Sequence, residues 1–285
     1  MKKKISILGS TGSIGETTLK IIKKKKNLFQ INILVANKNY KKICNQINIF
    51  KPKIFIIDDI KTFLKVKKFA RNKKTKILNK INEKNIIKND ISISAIPGIA
   101  GLNLTIYFAQ HSKKLLIANK ESIICGWDIL IKTIKKNKTR LIPIDSEHFS
   151  LLKLLEISKK EDVKKIYITA SGGPFFKSNI KFNKIKPYHA LKHPKWSMGK
   201  KISVDSATMM NKIFELVEAK KLFPFFKKKI GILIHPQSLV HAVIVYKNGL
   251  TNLLYHQPNM IIPIANAIFD SKIDISEIYK KKNNF

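Results

Sequence analysis

Ile7-Leu8-Gly9-Ser10-Thr11-Gly12-Ser13-Ile14-Gly15 is the stretch whose reading decides the fold. It follows directly on a short apolar run, Ile5–Leu8, which reads as a strand, and it opens a helix. Glycines at such a junction let the backbone turn tightly and come close to a pyrophosphate. The free N–H groups and the positive end of the following helix then hold the anion. The spacing, G-x-x-G-x-x-G, is a variant of the usual dinucleotide fingerprint. Its position after a first strand favours cofactor binding over a plain turn.

Working outward, five more β-rich runs follow at intervals: Ile31–Val35, Ile54–Ile57, Ile91–Ile96, Leu115–Ala118 and Leu141–Ile144. Between them lie Lys- and Asn-rich segments long enough for crossover helices. Alternating β and α elements imply a parallel sheet covered on both faces, and continuous apolar runs are what strands buried on both sides require. The fold class expected is therefore α/β, with a doubly wound, Rossmann-like domain over residues 1–149. The second half changes character. Ser150–Ile157 reads as a helix, Lys165–Ala170 as a strand running into Ser171-Gly172-Gly173-Pro174, and Phe175 to Lys201 as a polar, irregular stretch. Ser206–Leu222 reads as one helix. Ile230–Ile234, Ala242–Tyr246 and Thr251–Tyr255 read as strands, the last two joined by the turn residues Asn248-Gly249. Ile261–Phe269 completes an α+β catalytic domain over 150–270, and 271–285 is expected to be a frayed tail.

The second strand bears on the cofactor. NAD enzymes commonly place an acid at its end for the ribose 2′-OH. Here the strand ends Ala36-Asn37-Lys38-Asn39, with no acid and with Lys38 available to a 2′-phosphate, which favours NADP. Lys38 also reads as one more surface lysine in this composition, so the missing carboxylate is the firmer half of the argument.

Asp145-Ser146-Glu147 lies at the carboxyl end of the sixth predicted strand, where ligands bind in open α/β sheets. In extended chain Asp145 and Glu147 would project together and could take Mg²⁺ or Mn²⁺. An acidic pair there can also simply cap the next helix. On the helix predicted from Ser206, Asn211, Lys212 and Glu215 share a face, an amide, a cation and a carboxylate suited to a phosphate and a metal. Ala118-Asn119-Lys120-Glu121-Ser122 ends the fifth strand on the cofactor edge of the sheet. His193-Pro194-Lys195-Trp196-Ser197-Met198-Gly199 reads either as a lid or as a loop pinned by Trp196. His235, in His235-Pro236-Gln237-Ser238, and His241 read as packed histidines at a strand bend rather than as metal ligands.

The formal charge is +38, from 56 Lys+Arg against 18 Asp+Glu, which raises the question of nucleic acid. Only Arg71 and Arg140 are arginine, whereas base and phosphate readers lean on the arginine fork. The lysines are scattered over every segment, so no specific nucleic-acid partner is expected. Cys44 and Cys125 form no framework, consistent with a reducing cytoplasmic location. The most apolar stretch, LLIANKESIICGWDILI, is broken by Asn119, Lys120 and Glu121, so no membrane span is expected. The basic N-terminus leads into four apolar residues only, which reads as a strand and not a signal peptide.

Together the strings ILGSTGSIG, IANKES, PIDSEH, SGGPF, HPKWSMGKKISVDSATMMNK and HPQS, in this order, resemble the 1-deoxy-D-xylulose 5-phosphate reductoisomerase family. The resemblance runs from the first strand to about Ala267. It implies rearrangement and NADPH-dependent reduction of a phosphorylated sugar, 1-deoxy-D-xylulose 5-phosphate, to 2-C-methyl-D-erythritol 4-phosphate, with a divalent metal, in a homodimer. By the same resemblance Thr11, Gly12, Ser13, Ile14, Asn37, Lys38, Asn39, Asn119, Glu121 and Gly199 match cofactor contacts. Asp145, Glu147 and Glu215 match metal ligands. Lys120, Ser146, Glu147, Ser171, His193, Ser206, Asn211, Lys212 and Glu215 match substrate contacts, with Lys120 and Glu147 the candidates for moving a proton. Trp196 and Met198 match a mobile flap. The chain departs from the family at Asn37 and Ile213, where glycine is usual, and Ile213 is expected to crowd the phosphate anchor. The family also continues into a C-terminal helical domain where this chain ends in KKKNNF. A catalytically impaired, nucleotide-binding remnant is therefore the alternative to an active enzyme.

Overall fold

The computed structural model describes residues 1–81, 88–176, 182–191 and 199–279. These divide into two compact units. One comprises Met1–Pro143 and the segment from Ile264 onward; the other is Ile144–Pro263.

The first unit is built on β1 (Lys3–Leu8), α1 (Ser13–Lys24), β2 (Phe29–Ala36), α2 (Tyr40–Phe50), β3 (Ile54–Ile57), α3 (Ile60–Phe69), β4 (Lys76–Leu78), β5 (Asn89–Ser94), α4 (Leu102–Gln110), β6 (Ser112–Ile117), α5 (Lys120–Asn137) and β7 (Arg140–Pro143). The strands form one parallel sheet in the order β4-β3-β2-β1-β5-β6-β7. The order reverses beside β1, and the glycine turn lies at that switch point. All four residues of β3 are buried and seven of eight in β2, as a sheet covered on both faces requires. A polar ladder fixes the register inside this apolar layer. Ser6 Oγ donates to Asn89 Oδ1 at 2.7 Å, Asn32 Nδ2 donates to the same oxygen at 3.0 Å, and Ser6 Oγ accepts from the Ile33 N–H at 3.2 Å. The β1–β2 register shifts at this point, between Ile5 and Ser6, which leaves Asn32 without a partner residue on β1 and its side chain on β5.

Six of the seven strands fall where the apolar runs place them. The seventh, β4, escapes the sequence because it offers only two apolar residues among lysines and asparagines.

The second unit consists of α6 (Ser146–Glu156), β8 (Val163–Ala170), α7 (Pro187–Ala190), α8 (Lys200–Ala207), α9 (Met210–Leu222), β9 (Ile230–Ile234), β10 (Val240–Tyr246) and β11 (Thr251–Tyr255). Its sheet runs β11-β10-β8-β9, antiparallel except for the β8–β9 pair. α6 packs on β8, β10 and β11, and α9 packs on β9. The core gathers Leu151 and Leu154 of α6, Val163, Ile166 and Ile168 of β8, Ala219 of α9, Ile230 of β9, and Ala242 and Ile244 of β10.

Three expectations change. The single helix Ser206–Leu222 is two helices, broken at Met209, which adopts φ 61°. Ser206 therefore sits in the last turn of α8 and not before a helix body. The helix expected from Ser150 begins four residues earlier, at Ser146. The chain beyond residue 263 returns to the first unit, so the boundaries at 149, 270 and 271 shift. α10 (Ile261–Phe269) ends where buried Lys114 of β6 donates to the carbonyls of Ala267 and Ile268 and pairs with Asp270 at 2.7 Å. Arg140 joins the same carboxylate at 2.8 Å, and Phe269 stands edge-on to Phe29. A cation on the last carbonyls of a helix is well placed. The tail is ordered as far as it is described: Asp274 caps a 3₁₀ turn at Ile275–Glu277, Glu277 pairs with Lys25, and Ile278 is buried. Its partners lie more than a hundred residues away, where a local reading has no access.

Candidate active site

The glycine turn owes its shape to contacts that forbid side chains. Gly9 adopts φ +84°, and a Cβ on it would lie 2.6 Å from the Ala95 carbonyl oxygen. A Cβ on Gly15 would lie 2.3 Å from the Gly9 oxygen, so α1 can approach the turn only with hydrogen there. Gly12 forms the N-cap of α1 with no side-chain cap, leaving the first helical N–H groups, at Ser13 and Ile14, to an incoming anion. Two residues that the sequence did not single out hold the turn from α2. Gln46 Nε2 donates to the Ser10 carbonyl at 2.9 Å and its Oε1 accepts from Ser10 Oγ at 2.8 Å, all buried. Lys42 Nζ reaches the Thr11 carbonyl at 3.4 Å and pairs with Glu16 at 2.6 Å. Their i, i+4 spacing on α2 was the available signal.

Asn37, Lys38 and Asn39 connect β2 to α2. Lys38 is exposed, and Asn39 caps α2 by accepting from the Lys42 N–H at 3.1 Å. Asn37 does not adopt a positive φ, so the absence of glycine costs nothing there. Asn119 is buried at the N-cap of α5. It accepts from the Ser122 N–H at 2.7 Å and donates to the carbonyls of Ile96 and Gly98 and to Glu121. Lys120 is buried beside it.

In the second unit the carboxylates gather around an ammonium group. Lys212 Nζ lies 2.6 Å from Glu147 Oε1 and also pairs with Glu215 Oε2. The other oxygen of Glu147 accepts from Ser146 Oγ at 2.7 Å, and that of Glu215 accepts from Asn211 Nδ2. Lys212 and Glu215 are each about nineteen-twentieths buried. Burial alone would raise the Glu147 pKa; Lys212 outweighs it and holds the carboxyl well below the usual range. Burial would likewise depress Lys212, but Glu147 and Glu215 raise it. Glu147 and Lys212 are ionised together.

Behind them stands a second set. His148 is fully buried; its Nε2 donates to the Glu215 carbonyl at 2.9 Å, and its Nδ1 lies 3.7 Å from Glu218 Oε2. Ligand atoms of Asp145, His148 and Glu218 all lie within 4.8 Å of one another. Burial pulls the His148 pKa down, but Glu218, Asp145 and Glu215 together raise it. The sequence reading missed His148 and Glu218, although one adjoins Glu147 and the other follows Glu215 by three residues.

Asp145 occupies the N-cap position of α6 yet makes no capping hydrogen bond, which disposes of the capping alternative. The argument from extended chain also falls. β7 stops at Pro143 and Glu147 is already helical, so Asp145 and Glu147 do not point alike by strand geometry. The three expected ligands do not form one compact set; Glu147 and Glu215 meet through Lys212, and Asp145 joins His148 and Glu218.

Ser171 opens a turn whose two glycines both have positive φ, and its Oγ accepts from the Gly173 N–H at 3.2 Å. A Cβ on Gly173 would meet the Ser206 carbonyl oxygen at 2.6 Å, so this turn packs against the end of α8 beside α9. Ser171, Ser206, Asn211 and Lys212 thus come from converging elements. Ile213 is 47% exposed. Gly199 is the N-cap of α8, with open space where a Cβ would sit. His193, Trp196 and Met198 lie outside the described residues. His235 directly follows β9 and His241 stacks on His256 at 3.8 Å; among the described residues these histidines form no ligand set.

Known proteins give this geometry a family. A model described as 1-deoxy-D-xylulose 5-phosphate reductoisomerase matches residues 5–126, and one described as that enzyme's C-terminal domain matches residues 141–223. A reductoisomerase of this name from Pelagibacter ubique is 50% identical over 291 residues, covering 99% of this chain and 75% of the relative. The Zymomonas mobilis enzyme in complex with NADPH superposes with a TM-score of 0.84 at 32% identity, over 94% of this chain and 70% of that one. A reductoisomerase bound to NADPH, fosmidomycin and magnesium gives 0.87 at 34% identity, over 95% of this chain and 71% of that one. The chain belongs to the 1-deoxy-D-xylulose 5-phosphate reductoisomerase family.

Proposed function

We propose how the residues of this chain divide the labour of its reaction, the NADPH-dependent, divalent-metal-dependent conversion of 1-deoxy-D-xylulose 5-phosphate to 2-C-methyl-D-erythritol 4-phosphate in isoprenoid precursor synthesis. The observation that carries the proposal is the largely buried Glu147–Lys212–Glu215 cluster, two carboxylates from segments far apart in sequence held around one positive charge.

NADPH supplies the hydride. The turn Thr11–Ile14 offers backbone N–H groups to its pyrophosphate, and Lys38 with Asn37 and Asn39 takes the 2′-phosphate at the acid-free end of β2. Asn119, Glu121 and Gly199 are the further cofactor contacts. The metal residues fit a hard divalent ion, because Asp145, Glu147 and Glu215 offer oxygen donors and two of them already gather around a cation. Such an ion supplies Lewis-acid charge for the ketone and hydroxyl oxygens of the substrate. Ser171, Ser206, Asn211 and Lys212 anchor the substrate phosphate, with His193 completing that end; Ser146 and Glu147 hold the reacting end. Glu147 and Lys120 are the two groups suited to moving the hydroxyl proton. His148 fixes the Glu215 backbone against α6 through its 2.9 Å hydrogen bond and is a positioning residue.

Magnesium or manganese serves the site equally well by donor chemistry. A homodimer is supported by β11, the edge strand of its sheet, where Leu253 and Tyr255 are exposed and a second copy would cover them. Sedimentation as a monomer at assay concentrations would remove that part. A cytoplasmic location is supported by two free cysteines, Cys44 and Cys125. No described helix is long and apolar enough to cross a membrane.

The test is turnover: the chain with substrate, Mg²⁺ and NADPH should consume NADPH absorbance. No loss at saturating reagents would reject an active enzyme in favour of a nucleotide-binding remnant. Glu215→Gln should lower metal-dependent turnover roughly a hundredfold or more and leave NADPH affinity within about twofold.

A further inference from the structure

We infer that the Lys212 ammonium and the divalent ion compete for the same two carboxylates, and that a phosphate on the substrate draws Lys212 away, so that phosphate and metal each tighten the binding of the other. The inference rests on the proposed assignment of Glu147 and Glu215 as metal ligands.

Both carboxylates are fully committed. Glu147 gives one oxygen to Lys212 and the other to Ser146; Glu215 gives one to Lys212 and the other to Asn211. A divalent ion that takes an oxygen from each acid must enter where a unit positive charge already lies 2.6 Å from Glu147 Oε1. Two cations at such separation in a dry site repel strongly, so the ammonium leaves as the ion enters. Lys212 is 5% exposed, which makes release to bulk water a poor exit. A buried ammonium moves at low cost only toward another anion. The first turn of α9 offers that route. Lys212 is the third residue of α9; its N–H is held by the Met209 carbonyl at 3.0 Å, so the backbone stays while the flexible four-carbon stem swings. Asn211 adjoins it, and the Ser171–Gly173 turn packs on Ser206 at the end of α8. An anion bound among Ser171, Ser206 and Asn211 gives Lys212 a second partner and leaves Glu147 and Glu215 to the metal. Linkage makes the effect reciprocal.

The test titrates Mn²⁺ into the full chain by calorimetry, with and without saturating glycerol 3-phosphate, after subtracting Mn²⁺–phosphate association measured in buffer. Wild type should bind Mn²⁺ roughly tenfold or more tightly with the phosphate ester present, a common size for coupled sites. Lys212→Gln should bind Mn²⁺ more tightly than wild type without the ester and should gain nothing from it. Equal wild-type affinities in the two conditions would overturn the inference. So would a Lys212→Gln protein that responds to the ester as wild type does, because the ester would then be acting on the metal itself. If the variant does not fold, the reciprocal wild-type titration decides: Mn²⁺ should tighten glycerol 3-phosphate by the same factor, and no tightening overturns the coupling. Failure of Mn²⁺ to bind in either condition removes the ligand assignment and the inference with it, whereas binding indifferent to phosphate removes only the inference.

Discussion

The two units present candidate sites of opposite kinds. The glycine turn between β1 and α1 is a neutral device: backbone N–H groups, no side-chain cap, and a frame of amide and hydroxyl hydrogen bonds from Gln46 and Ser10. The cluster at α6 and α9 is an ionic device, with Lys212 and Glu215 buried, Glu147 partly buried against them, and His148 and Glu218 behind. The first depends on what is missing, since two of its glycines have no room for a methyl group. The second depends on what is present, since removing one charge from a buried set leaves the others uncompensated. A backbone site is therefore fragile to added volume and indifferent to pH, and an ionic site is the reverse.

The sharpest way to break the comparison is to add one carbon to the turn. Gly15→Ala would place a Cβ 2.3 Å from the Gly9 carbonyl oxygen and 2.6 Å from Ser10 Cα, both backbone atoms that cannot step aside. Overpacking of this kind costs about 3 kcal/mol or more, above the ordinary range for an added methyl. Denaturant unfolding should show that loss, and NADPH affinity should fall at least roughly a hundredfold by fluorescence titration. Mn²⁺ affinity of whatever protein remains folded should be unchanged, because the proposed metal residues belong to the other unit. A Gly15→Ala protein with wild-type NADPH affinity would show that the turn does not carry the cofactor.

Acid should separate the units next. His256 is buried, and burial with the adjoining His241 pushes its pKa down to about 4 from 6.5; His241 is lowered as well, burial outweighing the attraction of Glu147. The unfolded chain takes up these protons first, so the contribution is complete above about pH 6.5 and is lost as pH falls toward 4. For His256 the difference amounts to about 3 kcal/mol. His148, whose pKa is raised, contributes nothing to that slope, since its stabilisation is fully present below 6.5 and fades only as pH rises. Denaturant midpoints between pH 7 and 4.5 should fall steeply in wild type and less in His256→Asn. Identical slopes in the two proteins would show that His256 is not held neutral.

The same contrast explains what was legible in the sequence. A neutral backbone site leaves a local signature, glycines at fixed offsets after an apolar run, and the sheet of the first unit was readable from runs such as Ile54–Ile57. The ionic site leaves only half of one, the shared helix face of Asn211, Lys212 and Glu215. Asp145, Glu147 and Glu215 were named together only because the surrounding strings resemble a family; taken alone, Asp145 and Glu147 read as a cap. His148 and Glu218 went unread because a buried histidine and a helical glutamate look ordinary until the fold sets them 3.7 Å apart. The break at Met209 was hidden for another reason. Met-Met-Asn-Lys is good helical sequence, and only a positive φ that the composition does not announce divides it. The return of the chain to the first unit at Lys114 and Asp270 required partners 156 residues apart.

Ile213 gives the smallest effect and closes the comparison from the side of the ionic device. It stands where the family usually has glycine and next to the residue proposed to carry both couplings, so on sequence it should crowd the phosphate anchor. Its side chain is 47% exposed. A helix tolerates an extra side chain on an outward face where the turn at Gly15 tolerates no methyl. Ile213→Ala should therefore change stability by no more than about 0.5 kcal/mol, any lost contact being offset by better helix propensity. KM for the phosphorylated substrate should stay within about twofold. A fivefold fall in KM would mean that Ile213 does reach the anchor, and that the ionic site is as sensitive to added volume as the backbone site.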